Sequence, residues 1–501
     1  MNRFVNKATS KIQNTGGRVS SDHIAEPSEH KTHKFDLQVK HIKDTETLGT
    51  QEIRMFLQIL SGYSSDDRPR FYAEYEKVMS TRFSEVIEVL HFKDVIHITS
   101  IYHQFAKTVR PQSFNDARQK YLSLHVLEPL LSKLKKIKLN SQDLELIYVR
   151  NPNNVLFITQ HAHTQSAYAP GKIIFTQAKS LLEKGKNVRV ISLGSIDDSF
   201  KTLMESNANF NVRRTKSEDG EKIFHELRDE LNEFKPVAIF TEIEVSILVA
   251  IEIWKLPSPI FLVSGGFYRV PWHSGILLTK ELKRQIGSST TVQKIFSVPQ
   301  THIPESLAPY CDPMLLAEEK AKLNITDEFV IATFARFEKI SDEFLHTVCA
   351  ILEKIPNSII ILAGPGDKRC AKDILDHLIA TDRVKLLGDS DISILGYCCD
   401  VFLETFPQCV GFAALESMAK GKPVFSLDSQ LLDFYRVNRV ERLIFESQEQ
   451  LIKSLSNAAN DKNFYDEISI ESIEFIEKHF YDLSKLSDAL LAVIDKHDQT
   501  R

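Results

Sequence analysis

Cysteine is scarce in this 501-residue sequence: there are six, all between Cys311 and Cys409, and none forms a CxxC pair. That pattern excludes a disulfide framework and fits reduced thiols in a cytosolic protein. Charge of one sign is also lacking. Lys and Arg number 62 against 67 Asp and Glu, for a net charge of −5, with the two signs mixed along the chain. No general attraction to nucleic acid or to an anionic membrane follows. The local exception is KLKKIK at 133–138, which reads as the solvated face of a helix, with contact at the inner face of a membrane as the lesser option. Long apolar runs are missing too. The most apolar stretch, VAIFTEIEVSILVAIEIW, is broken by Glu242, Glu244 and Glu252, and MNRFVNKATSKIQNTGG has no apolar core of signal-peptide kind, so a cytoplasmic location without a membrane span is expected.

What is present is enough apolar residue, 43% of the chain, to bury two or three cores. Residues 1–40 are polar and without periodicity, which predicts a flexible tail. Residues 41–150 carry helical spacing in EIRMFLQIL, FYAEYEKVM and YLSLHVLEPLLSKL, which predicts a helical N-terminal region. No tetratricopeptide period runs through it. From Asn151 strands alternate with helices: NVLFIT, GKIIFTQAKSLLEKG, NVRVISLG, then PVAIFTE and PIFLVSGG. A stretch with Pro299, Pro304, Pro309 and Pro313 follows. A second series then runs FVIATFARF, DEFLHTVCAILEKI, SIIILAG, VKLLG, VFLETF and PVFSL. The pattern predicts an α/β fold of two Rossmann-like domains, 151–300 and 301–480, each a parallel sheet covered on both faces, with a further helical segment over 481–501.

In such sheets ligands bind beyond the carboxyl ends of the strands. Three loops in the second series qualify. ARFEKI carries Arg336 and Lys339 out of a strand toward a helix start, a geometry that gathers a phosphate; the bland alternative is two surface residues in a turn. GPGDK offers Gly364 and Gly366 for a tight turn and close approach of a ligand. ETFPQCVGFAALESMAKGKPVFSL, residues 404–427, ends a strand, turns at Gly411 and enters a helix bearing Glu416 in its second turn. Its first amides, near Val410 and Gly411, point at the same place, and Glu416 suits the vicinal hydroxyls of a ribose. Gly421 is expected to end that helix.

Residues 401–427, VFLETFPQCVGFAALESMAKGKPVFSL, resemble the donor-binding segment of GT-B glycosyltransferases. In the retaining group marked by Glu, seven residues, Glu, the second Glu falls on Glu416 and the first on Gln408. FEKISDEFLHTVCAILEKIPNSIIIL is similar to the O-GlcNAc transferase-like and bacterial protein N-glucosyltransferase-like group. The resemblance implies a GT-B fold with two domains facing a cleft and a last helix crossing back to the first of them. It implies Lys339 on the donor diphosphate and Glu416 on the ribose, with Gln408 at the position of the retaining pattern's first Glu; the loop reading places Arg336, Gly364, Gly366, Val410 and Gly411 around the donor. It also implies a hexosyl transfer from a nucleotide sugar, UDP-linked by preference, to a glycan, lipid-linked or protein acceptor. No cofactor is expected, since the nucleotide sugar is a substrate. The same fold serves sugar-nucleotide epimerases and non-catalytic partners in glycosylation complexes.

A departing diphosphate needs fixed positive charge. No DxD pair occupies a matching loop, since Asp66-Asp67 and Asp197-Asp198 lie outside the donor domain, so no catalytic metal is expected. On the acceptor side, QHAHTQSAYAPGK places His161 and His163 at the end of the first strand, and Glu242 follows PVAIF. Each is a candidate general base, weighed against an ordinary turn or capping residue. SGGFYR, at 264–269, offers amides and two aromatics for a sugar face. Gln408 in place of an acid, with the Lys-Ile pair, leans the stereochemistry toward inversion.

Overall fold

The computed structural model describes residues 148–498 apart from 165–168, 217–219, 243–255, 264–274, 279–294, 366–375, 377, 380–381, 389, 407–408, 429–435 and 437. The expected tail at 1–40, nearly all of the helical region at 41–150, and Glu244, SGGFYR, Gly366 and Gln408 therefore lie outside the described residues.

The first domain is a seven-stranded sheet in the order β3-β2-β1-β4-β5-β6-β7, from β1 (Asn151–Thr159), β2 (Asn187–Ser192), β3 (Phe210–Arg214), β4 (Pro236–Thr241), β5 (Ile260–Val263), β6 (Gly275–Leu278) and β7 (Ile295–Ser297). Every neighbouring pair is parallel. Strand β1 pairs Val155 with Val188 on one side and with Ala238 on the other. A central strand in this position must be apolar on both faces, which is why Val155 to Ile158 form an unbroken run and all four are buried. Helices α1 (Ala169–Glu183), α2 (Asp198–Ser206) and α3 (Gly220–Phe234) form the crossovers.

The connection carries α4 (Pro304–Leu307) and α5 (Pro313–Lys322), each with proline in its first turn, where the missing N–H has no intrahelical partner to lose. The second sheet runs β10-β9-β8-β11-β12-β13 and is again all parallel, built from β8 (Phe329–Phe334), β9 (Ser358–Ala363), β10 (Val384–Leu387), β11 (Val401–Leu403), β12 (Val424–Leu427) and β13 (Ile444–Phe445). Its helices include α6 (Asp342–Lys354), α7 (Ile392–Cys398), α8 (Phe412–Ala419), α9 (Gln448–Asn460) and α10 (Lys462–Phe480). Both sheets reverse strand order beside their first strand, between β1 and β4 and between β8 and β11, where a Rossmann-like sheet opens its binding crevice.

Two local signals work as chemistry requires. Ser341 accepts from the Phe344 amide at 3.1 Å and so caps α6. Gly421, at φ +73°, closes α8, with its own N–H on the Met418 carbonyl and the Lys422 N–H on the Ser417 carbonyl. The last helix, α11 (Leu483–Asp498), leaves the second domain. Phe480 still lies in that domain's core, whereas Leu486, Leu490, Val493 and Ile494 are buried in the core of the first, against α1. Among the described residues no helix is long and apolar enough to cross a membrane.

Candidate active site

Loops at the carboxyl ends of β8, β9, β10 and β11 are stitched together. Phe337 in the turn after β8 donates its amide to the Pro365 carbonyl at 3.0 Å, and the Gly364 amide reaches the Gly388 carbonyl at 3.0 Å. Gly364 sits at φ +152°, and a Cβ there would fall 1.9 Å from the Ala335 carbonyl oxygen. Only glycine lets the two strand-end loops pack this closely. Lys339 closes a short 3₁₀ turn (Phe337–Lys339) and donates its ammonium to the Cys409 carbonyl at 2.8 Å, while Ser341 Oγ donates to the Phe406 carbonyl at 2.8 Å. The turn after β8 is thereby fixed to the segment that leads into α8.

Lys339 is half-buried, and burial holds its pKa below the usual lysine value, against the pull of Cys409 and Glu404. Arg336 is exposed beside it. Gly411 begins α8 with no side-chain cap on the first amides. Val410 plays a different part from the one expected. Its N–H donates to Glu404 Oε1 at 3.1 Å and its carbonyl accepts from Arg439 at 2.7 Å, so its amide is already committed within the fold.

Glu404 and Arg439 are the residues the sequence reading missed. Both side chains are almost fully buried, at 2% and 1% exposure, and they form a two-pronged pair in which Glu404 also accepts from Ser426 Oγ at 2.6 Å. A buried carboxylate with four donors is compensated on both oxygens. The one advance signal was an acid ending an otherwise apolar strand, VFLE.

Glu416 lies in α8 as expected, yet its carboxylate does not stand open to a cleft. It is buried and pairs with the Lys172 ammonium from the first turn of α1. This contact joins the carboxyl-end side of the first sheet to that of the second. Lys420, one turn on, donates to the Leu307 carbonyl at 3.1 Å.

On the first domain, His161 and His163 stand after β1 with ring centroids 5.6 Å apart, both half-buried. His161 Nδ1 accepts from the Ser195 amide at 3.3 Å. That places the proton of the neutral ring on Nε2. Burial, followed by the neighbouring His163, holds the His161 pKa down. In that tautomer the neutral ring has an Nε2–H to donate. Glu242 Oε1 accepts from Thr159 Oγ1 at 2.6 Å and from the Gln160 amide at 2.8 Å, so that oxygen holds the β1 and β4 loops together. Asp197 caps α2 and binds Thr164, and Asp198 pairs with Lys201 at the surface. Among the described residues no three His, Cys, Asp or Glu side chains gather as metal ligands do.

His302, in the connection, is buried between Phe412 and Phe480. Burial first, and the Lys172 charge second, lower its pKa to about 3. The unfolded chain takes up a proton here below its ordinary 6.5, whereas the folded protein stays neutral until about 3, so native stability falls as pH drops through that window. Replacing His302 with Gln is expected to flatten the fall in melting temperature between about pH 6 and 4. A variant melting curve as steep in pH as the parent's would remove His302 as the source.

No family model matches the sequence, and no curated protein matches it. Among solved structures, the chain is similar to a glycosyltransferase from Rickettsia africae, at 14% identity over 71% of this chain and 100% of that one, with a TM-score of 0.51. It is also similar to a mutant O-GlcNAc transferase from Thermobaculum terrenum, at 12% identity over 94% of this chain and 99% of that one, with a TM-score of 0.51. The chain has the GT-B fold of two Rossmann-like domains.

Proposed function

We propose that this GT-B chain transfers a sugar from a nucleotide-sugar donor, UDP-linked by preference, to a hydroxyl of a glycan, lipid-linked or protein acceptor. The observation that carries the reading is Lys339, a partly desolvated ammonium pinned to the Cys409 carbonyl at the point where β8 and β11 diverge, with Arg336 beside it and the uncapped start of α8 opposite. A leaving diphosphate gathers negative charge as the glycosidic bond breaks. Fixed cations and helix amides in a water-poor site stabilise that charge without reorganising. Lys339 and Arg336 thus take the part a metal plays in other transferases.

On the acceptor side His163 is the group we assign as general base, and His161 the group that donates from Nε2 to a sugar or phosphate oxygen. A single displacement with inversion follows, in which the acceptor oxygen bonds to the anomeric carbon, its proton passes to His163, and the nucleoside diphosphate departs. The Glu416 carboxylate is assigned to the donor ribose.

Thermal-shift screening against UDP-, GDP- and ADP-sugars, with and without EDTA, followed by product analysis with the best donor, tests the reading. Stabilisation by a UDP-sugar and transfer to an acceptor, unchanged by EDTA, are expected. Free UDP with an altered sugar and no acceptor product would instead identify an epimerase, and no shift with any donor would sink the proposal.

A further inference from the structure

Lys172 has no part in the chemistry above, yet it occupies the carboxylate assigned to the donor. Its ammonium is bonded to Glu416, 244 positions away and in the other domain, and both side chains are 5% exposed. A ribose cannot share a carboxylate closed off in this way. We propose that Lys172 is a positioning residue that competes with the nucleotide for Glu416: binding of the ribose hydroxyls displaces the ammonium and loosens the contact between the two domains, so Lys172 sets donor affinity. The proposal rests on Glu416 being the ribose contact.

Three further features of the contact fit an interaction built to be broken. Lys420 lies close enough for the Glu416 charge to act on it, so the carboxylate keeps a compensating cation when Lys172 departs. His302 Nδ1 is buried without a hydrogen-bond partner, within reach of the Lys172 charge. An orphaned buried polar atom is a cost carried by this arrangement of the packed residues. Finally, Gly171 packs so tightly on the loop after β1 that a Cβ would lie 2.2 Å from the His163 carbonyl oxygen. The residue next to Lys172 thus lies directly against the histidine loop.

The test measures affinity of the full-length protein for UDP and for its 2′,3′-dideoxy analogue, which lacks the ribose hydroxyls. Lys172→Met is expected to bind UDP about tenfold more tightly than the parent, within the ordinary range of coupling between sites, and the dideoxy analogue no more tightly. Lys172→Gln, which keeps a donor for Glu416, serves if the first variant folds poorly, with a gain of about threefold expected on the same scale. Equal gains for both nucleotides would show a merely structural effect and overturn the proposal, as would unchanged or weakened UDP binding. A parent protein that binds UDP but does not discriminate the analogue removes Glu416 from the ribose. One that binds neither UDP, GDP nor ADP removes the donor site itself, and the competition falls with it.

Discussion

Arg439→Met is expected to destabilise the protein by about 3–5 kcal/mol, the cost of leaving a buried carboxylate without its partner. Arg439 and Glu404 are both almost fully buried, and the guanidinium is the larger of the groups neutralising that carboxylate. The Val410 amide and Ser426 hydroxyl remain as donors in the variant, but neither carries charge. A second change separates charge from packing: Arg439→Met with Glu404→Gln removes both charges and should recover most of the loss. Chemical denaturation read by circular dichroism compares the three proteins. An Arg439→Met midpoint equal to the parent's would show that the pair contributes nothing. Because Arg439 also holds the Val410 carbonyl, the variant should bind nucleotide more weakly even where it folds.

Lys339→Ala is expected to lower kcat for transfer by about 10²–10³, the usual loss when one fixed donor to a developing negative charge is removed. The stability cost is smaller, about 1–3 kcal/mol, because the ammonium also makes a charge-assisted bond to the Cys409 carbonyl. A Lys placed freely on a surface would have cost almost nothing, so the structure raises this expectation. Turnover is measured under saturating donor at a temperature where thermal melts show both proteins folded. Parental turnover in the variant would take Lys339 out of the reaction.

The sequence exposed what is local or periodic. Buried parallel strands must be apolar on both faces, so NVLFIT and SIIILAG announce the two sheets without knowledge of their neighbours. Gly421 after α8 acts within four residues of its own position, which is why the stop was readable. Pairings set by tertiary placement left no such trace. Nothing in the run around Lys172 marks it as the partner of Glu416, and Arg439 reads as an ordinary surface cation until the chain folds it onto Glu404. The same holds for His161, whose tautomer depends on an amide 34 positions away, and for Val410, whose amide faces the fold's own acid.

The passage of α11 back onto α1 makes the first domain discontinuous in sequence, with the second domain inserted before its last piece. During synthesis the order of completion is therefore the reverse of the order of translation. The first sheet is finished at Ser297, but its hydrophobic face waits for Leu486, Leu490, Val493 and Ile494 to emerge from the ribosome. The second domain, whose core closes at Phe480, is continuous in sequence and complete in the chain before that last helix emerges. For that interval the earlier-synthesised domain lacks the part of its core that α11 supplies.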